Sequence, residues 1–429
     1  MICKQPLSAE QKRRGRFNYN MFSFVNGISY MCLGETVLIL LAVQQNVPDW
    51  VVSALGAMIY TGYLMLILGK IITARVGAAK TQSVCWAIRN AAALLVASSV
   101  LFYHAGMSKT AIAAILTGAF LFYGFRAAGV IMAQPLIGDM SDEENRGKFL
   151  AFNNALFFFS SVLTLIAVTV TLKFSSSIWM LAGIIVFGAV CGLGASRFLS
   201  RIDETAALQE SARKPLKDDL IYTCKSESLR KQIVAGFAVN LAIILTVPIS
   251  MLALKRGYSM DDMSAMIFAL IQFASSTIMS LLTARIAEKY GPRKLLIWSC
   301  AALLMIPVLW FIAPGNFNWF YCALPFIIAG AANVASLNAT IHYFLQNVDR
   351  QRRVAVSMFV SITTGAGAGL AGTLLASILL KIAELNANAA VPLSRYRMFF
   401  LCAFVLLIPC LYLVSRLKPL PPDKRKLPR

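Results

Sequence analysis

The chain has 429 residues, is 58% hydrophobic and only 14% charged, and carries a formal net charge of +21. A soluble domain of that composition would expose large apolar patches, so a helical protein that crosses the membrane many times is expected. The charge does not point to nucleic acid, because about 31 Lys and Arg fall on one set of loops and about 7 on the other, the asymmetry that membrane insertion produces.

Residues 1–20 carry Lys4, Lys12, Arg13, Arg14 and Arg16 ahead of an apolar run. At about 22 residues, that run is too long for a signal-peptide core, and no A-x-A cleavage site follows it. It reads as a retained first helix with its N-terminus inside. Spans are expected at roughly 22–43, 51–69, 81–103, 110–132, 150–172, 178–199, 232–254, 263–283, 295–313, 319–341, 355–379 and 398–416. Each is near the ~20 residues needed to cross. An even number of spans puts both termini in the cytoplasm, and the basic tail at 417–429 agrees. The division expected is an N-terminal cytoplasmic segment 1–20, a six-helix half 21–199, a cytoplasmic linker 200–231, a second six-helix half 232–416, and the tail. The linker is rich in charge and reads as flexible or partly helical.

Seven of the nine cysteines lie inside apolar spans, and Cys3 and Cys224 fall in reducing cytoplasmic segments. There is no C-x-x-C and no Cys/His ligand spacing, so neither a metal nor another cofactor is expected.

Residues 284–294, ARIAEKYGPRK, put Arg285, Lys289, Arg293 and Lys294 between two apolar spans. Gly291 and Pro292 break the helix there, so a short basic turn at the membrane face is expected. The stretch resembles the loop between helices 8 and 9 of the major facilitator superfamily, roughly G-R-[LI]-A-[DE]-[RK]-[FY]-G-x-R-[KR]. Ala284 stands for its Gly and Glu288 for its Asp. Residues 135–148, PLIGDMSDEENRGK, resemble the superfamily's loop between helices 4 and 5 through Pro135, Asp139, Glu143, Glu144, Arg146, Gly147 and Lys148. In the matching loop of the first half, 69–80, Arg75 and Gly77 fit, but Ala74 replaces the usual Asp.

The resemblance implies an all-α polytopic fold with twelve transmembrane helices in two six-helix halves. It gives Asp139, Arg146, Arg285, Glu288, Lys289, Gly291 and Arg293 a gating role at the cytoplasmic face. The plainer alternative for these residues is a set of solvated turns.

Apart from Arg197 and Arg416 at span ends, three ionised residues lie inside the spans: Glu35 in helix 1, Arg89 in helix 3 and Arg126 in helix 4. A charge in hydrocarbon costs ~3 kcal/mol or more, so such residues face a cavity or a partner. Glu35 is placed about fourteen residues into helix 1, ~20 Å from its start, where its carboxylate could take up a proton. An acid on helix 1 with an arginine on helix 4 resembles proton-linked facilitators of sugars or organic acids. The alternative is a packing role. Arg126 could hold an anionic or hydroxylated substrate through its planar fork, or extend to the interface. For Arg89, near the end of helix 3, a structural role is expected. The second half offers Asn240, Gln272, Asn333 and Asn338, which suit hydroxyl or amide groups on a substrate or serve as contacts between helices.

These features lead to the expectation of a secondary active transporter, monomeric and not an enzyme. It would move a small polar solute (a sugar, uronate or organic acid) across the inner membrane by proton-coupled alternating access. Its partners would be the solute, protons and membrane lipid, with no nucleic acid. A membrane enzyme acting on a lipid-linked substrate and a transport-inactive sensor signalling through 200–231 are the alternatives.

Overall fold

A computed structural model describes residues 2–131, 133–141, 143–213, 215, 217–348, 353–386 and 392–418. Among them, 12 helices are long and apolar enough to cross a membrane. The chain forms two compact units: Met1–Pro215 with Asp261–Leu270, and Leu216–Met260 with Ile271–Arg429.

The first unit opens on a short strand, β1 (Ile2–Cys3), followed by α1 (Ala9–Cys32). Ser8 and Gln11 cap α1 reciprocally: Gln11 N donates to Ser8 Oγ at 3.2 Å and Ser8 N to Gln11 Oε1 at 2.9 Å. The helix therefore starts well before the apolar run and carries its basic first turns outside it. It also stops early. Gly34 is extended (φ −65°, ψ 161°), and a separate helix, α2 (Glu35–Gln44), begins after it. The first span is thus two helices joined at Leu33–Gly34, not the single helix expected from hydropathy.

The second span is also interrupted. α3 (Asp49–Thr61) passes through a 3₁₀ turn at Gly62–Met65 into α4 (Leu66–Val76). It packs on α6 (Ser108–Val130), which follows α5 (Ala78–His104). The approach is backbone to backbone: a Cβ at Gly62 would lie 2.8 Å from the Tyr123 carbonyl carbon, and one at Gly69 would lie 2.1 Å from Ala128 O. Only glycine permits this crossing.

Three stretches expected as loops are mostly helix. Between α4 and α5 only Gly77 (φ +91°) stands outside helical structure. In residues 135–148 the chain forms α7 (Ala133–Met140) and then the start of α8 (Glu143–Phe174). The next helix, α9 (Ile178–Ser200), completes six spans. The basic turn at 284–294 likewise reduces to Gly291 (φ +81°), between α13 (Asp262–Tyr290) and α14 (Pro292–Phe311). Hydropathy marks where a helix leaves the hydrocarbon, whereas only a breaker marks where it ends.

The segment after α9 is structured. β2 (Glu204–Thr205) pairs in parallel with β1, Ile2 opposite Glu204 and Cys3 opposite Thr205. Then come α10 (Ala206–Arg213) and α11 (Lys217–Lys225). A core of Tyr19, Phe22, Trp86, Leu136, Met140 and Leu199, among others, fills this end of the first unit. The grouping of residues 261–270 with that unit has a local cause, since the Gln44 amide donates to the Asp262 carboxylate.

The second unit contains α12 (Glu227–Leu252), most of α13, α14, α15 (Trp319–Asn347), α16 (Arg353–Ser361), α17 (Gly367–Asn386) and α18 (Pro392–Ser415). Two π-turns interrupt it, at Ala253–Gly257 after α12 and at Ile362–Ala366 between α16 and α17. The small-residue run TGAGAGLAG, residues 364–372, overlaps the end of the second of these, and no periodicity signal announced it.

Candidate functional site

The break at Gly34 places Glu35 at the first residue of α2. This corrects the sequence expectation of a carboxylate partway along one continuous helix. Its neighbours come from other elements. Tyr60 on α3 lies in electrostatic range of Glu35, Tyr30 and Tyr63. Tyr123 on α6 lies in range of Tyr30, Glu35, Arg126 and Arg89. The Gly62 and Gly69 crossings bring α3–α4 and α6 close enough for this, while the α1–α2 break turns a fresh helix start toward the same group.

Glu35 is half-buried, and its carboxylate makes no hydrogen bond or ion pair among the described residues. Arg126, also half-buried, stands over the Tyr30 ring, its guanidinium carbon 5.8 Å from the centroid. It forms no ion pair with Glu35. The first unit thus carries an acid and a base in one phenol-lined neighbourhood without neutralising them against each other.

Arg89 does not extend to an interface but is wholly buried, 0% exposed. Its guanidinium lies 4.3 Å from the Phe122 centroid and 5.1 Å from that of Trp86. Nη1 donates to Asn26 Oδ1 at 3.2 Å, and Trp86 Nε1 donates to the same oxygen at 2.9 Å. Sequence reading missed Tyr30, Tyr60 and Tyr123 as members of the group. One signal was present: Tyr123 and Arg126 are three apart on one helix and share a face.

The four amides of the second unit are not brought together by hydrogen bonds to one another. Asn240 on α12 donates to Thr364 O at 2.9 Å, a carbonyl within the π-turn. Gln272 on α13 lies at a tight crossing, where a Cβ on Gly330 of α15 would be 2.1 Å from the Gln272 carbonyl oxygen. Ser276 Oγ donates to both the Gln272 and Gly330 carbonyls at that crossing. Asn333 follows one turn after Gly330, and its carbonyl accepts from Ser336. Asn338 is half-buried further along α15.

The residues expected to gate occupy helix corners. Asp139 Oδ2 accepts from Thr205 N at 2.8 Å and from Thr205 Oγ1 at 2.7 Å. Arg293 Nη2 donates to the carbonyl of Ser415, the last residue of α18, at 2.8 Å. Lys289 is exposed over the Tyr290 ring. The side chains of Arg146, Arg285 and Glu288 lie outside the described residues, as does most of the expected tail, 419–429.

The corner at Gly77 has a partner that no motif announced. Glu204 Oε2 accepts from Ala78 N at 2.6 Å and Oε1 from Ala79 N at 3.3 Å, capping α5. Burial holds its carboxyl above the usual carboxylate range, although the two N–H groups act in the opposite sense. Gln209 and Arg213 of α10 donate to the Ala74 carbonyl, so the same segment also closes the end of α4. Ala74, which replaces the family's Asp, is served through its backbone. Among the described residues no group of three or more His, Cys, Asp or Glu could hold a metal ion.

Among the described residues, twelve helices long and apolar enough to cross a membrane, arranged in two units, define an integral membrane protein. The family model of the Major Facilitator Superfamily matches residues 17–373, and the chain belongs to that family. No curated protein matches it in sequence. Solved structures of similar fold include the D323A mutant of the nucleoside transporter NupG, at 14% identity and TM-score 0.71, covering 94% of this chain and 99% of that one. The xylose transporter XylE from E. coli matches at 14% identity and TM-score 0.61, over 93% and 96% of the two chains. A POT family transporter in complex with 5-aminolevulinic acid matches at 13% and 0.64, over 95% and 97%.

Proposed function

We propose that the protein is a secondary active transporter that carries a small polar solute, such as a sugar, uronate or organic acid, by alternating access coupled to protons. The observation that carries this reading is the unpaired, half-buried carboxylate of Glu35 beside Tyr60, with Arg126 nearby over Tyr30. An acid in that setting can exchange a proton without breaking a structural ion pair, so protonation is free to follow the conformational cycle. Within the first unit Arg126 offers a fork suited to an oxyanion or hydroxyl group, and within the second unit Asn240, Gln272, Asn333 and Asn338 are amides of a kind that suit hydroxyl or amide groups. The plasma (inner) membrane, with both termini and residues 200–231 in the cytoplasm, is the location that the loop charges favour. The corner residues Asp139, Arg146, Arg285, Glu288, Lys289, Gly291 and Arg293 would set how readily the cytoplasmic ends of the helices part.

Reconstitution tests the proposal. Purified protein in liposomes should take up one member of a solute panel against its gradient when an inward proton gradient is imposed. Absence of both gradient-driven uptake and exchange for the whole panel would count against a transporter and favour the sensor reading.

A further inference from the structure

The charge inside the first unit is unbalanced. Arg89 and Arg126 interact electrostatically with each other, and among the described residues no carboxylate forms an ion pair with either. The pair carries a net charge of about +2. Like charges held together in a low dielectric repel, and the cost rises when they lack acceptors.

Acceptors are what Arg89 lacks. Its Nη1 shares Asn26 Oδ1 with Trp86, while Nε and Nη2 are buried without a hydrogen-bond partner. Phe122 and Trp86 offer ring faces to the cation but no acceptor oxygen. Leaving such donors unmet is unfavourable, so a group that met them would bind with that penalty released. Arg126, also without an ion partner, provides the outer and more accessible charge. A carboxylate matches a guanidinium fork in shape and charge, and its negative charge offsets part of the repulsion between the two arginines.

Building on the transporter reading, we infer that the solute is a carboxylic acid whose carboxylate is held by Arg89 and Arg126. Arg126 meets the anion first and Arg89 provides the inner donors. A neutral sugar or a nucleoside would leave the cluster's excess charge unanswered.

The test uses the purified full-length chain. Thermal melts are recorded with lactate, gluconate, glucuronate, glucose and glucose 6-phosphate at matched ionic strength. At least one carboxylate should raise the melting temperature by several degrees, with glucose showing no shift. Arg89→Lys keeps the charge but removes the fork, and should weaken that carboxylate's affinity by about tenfold or more. Arg126→Lys, at the half-buried position, should weaken it too and supplies a second reading if the Arg89 variant folds poorly. The inference is overturned if glucose or glucose 6-phosphate stabilises as well as any carboxylate, if no carboxylate stabilises, or if a folded Lys variant retains wild-type affinity. Proton-driven uptake of a neutral solute would sink the carboxylate assignment while leaving the transporter reading in place.

Discussion

Glu204 reaches back to the start of α5 and accepts a hydrogen bond from Ala78 N at 2.6 Å, 126 positions earlier in the chain. Its folded-state pKa lies above the ordinary carboxylate range because burial outweighs the two N–H bonds. The folded protein therefore holds this proton more tightly than the unfolded chain does. Its stabilising effect is present at low pH and is lost as pH rises from the ordinary carboxylate value through the raised one. Melting temperature measured from pH 4 upward should show that decline superimposed on other titrations. In Glu204→Gln the component should vanish, and an unchanged profile would reject the assignment.

Gly69 allows α4 to rest on the Ala128 carbonyl. Gly69→Ala should separate α4 from α6 and cost about 1–3 kcal/mol. The expected readout is a lower melting temperature together with weaker transport, since Tyr123 and Arg126 lie on the displaced helix.

The Glu35→Gln variant keeps size and hydrogen-bonding capacity but fixes the side chain as neutral. Concentrative uptake driven by a proton gradient should be abolished, while counterflow exchange continues, because exchange does not require proton release. Proton-dependent accumulation by the variant would move the coupling role elsewhere.

Asn240 supports the π-turn by donating to Thr364 O. Asn240→Leu removes that donor and should destabilise the second unit by about 1–3 kcal/mol. If Asn240 also touches the solute, as proposed, the apparent KM should rise in addition. A change in stability with KM unchanged would confine the residue to structure.

The orientation of the chain can be read from Cys224, an exposed thiol on α11. A membrane-impermeant maleimide should label it in inside-out vesicles and leave it untouched in intact cells. Labelling of intact cells at this position would reverse the proposed topology.

The spans were legible from hydropathy because about 20 apolar residues have few uses other than crossing a bilayer. The family was legible from 284–294 and 135–148, although both stretches proved to be mostly helix rather than loop. Charged residues appended to an apolar helix end the hydropathy signal but not the hydrogen-bond ladder. The candidate site could be proposed from sequence where one residue type is costly in lipid, hence Glu35 and Arg126. It was not legible at Arg89, because burial beneath Phe122 and Trp86 depends on three-dimensional packing rather than distance from a span end. The Glu204 cap was hidden for a similar reason: its partners are main-chain N–H groups, which every sequence offers everywhere.

The pairing of Ile2–Cys3 with Glu204–Thr205 has a consequence for biosynthesis. At about 5–20 residues per second, the partner strand leaves the ribosome roughly 10–40 s after the first. Until then β1 has no strand to join, and six spans must be laid into the bilayer in the meantime. Closure of the pair therefore marks the moment at which the first half is complete, a built-in timestamp that separates its assembly from the synthesis of the second.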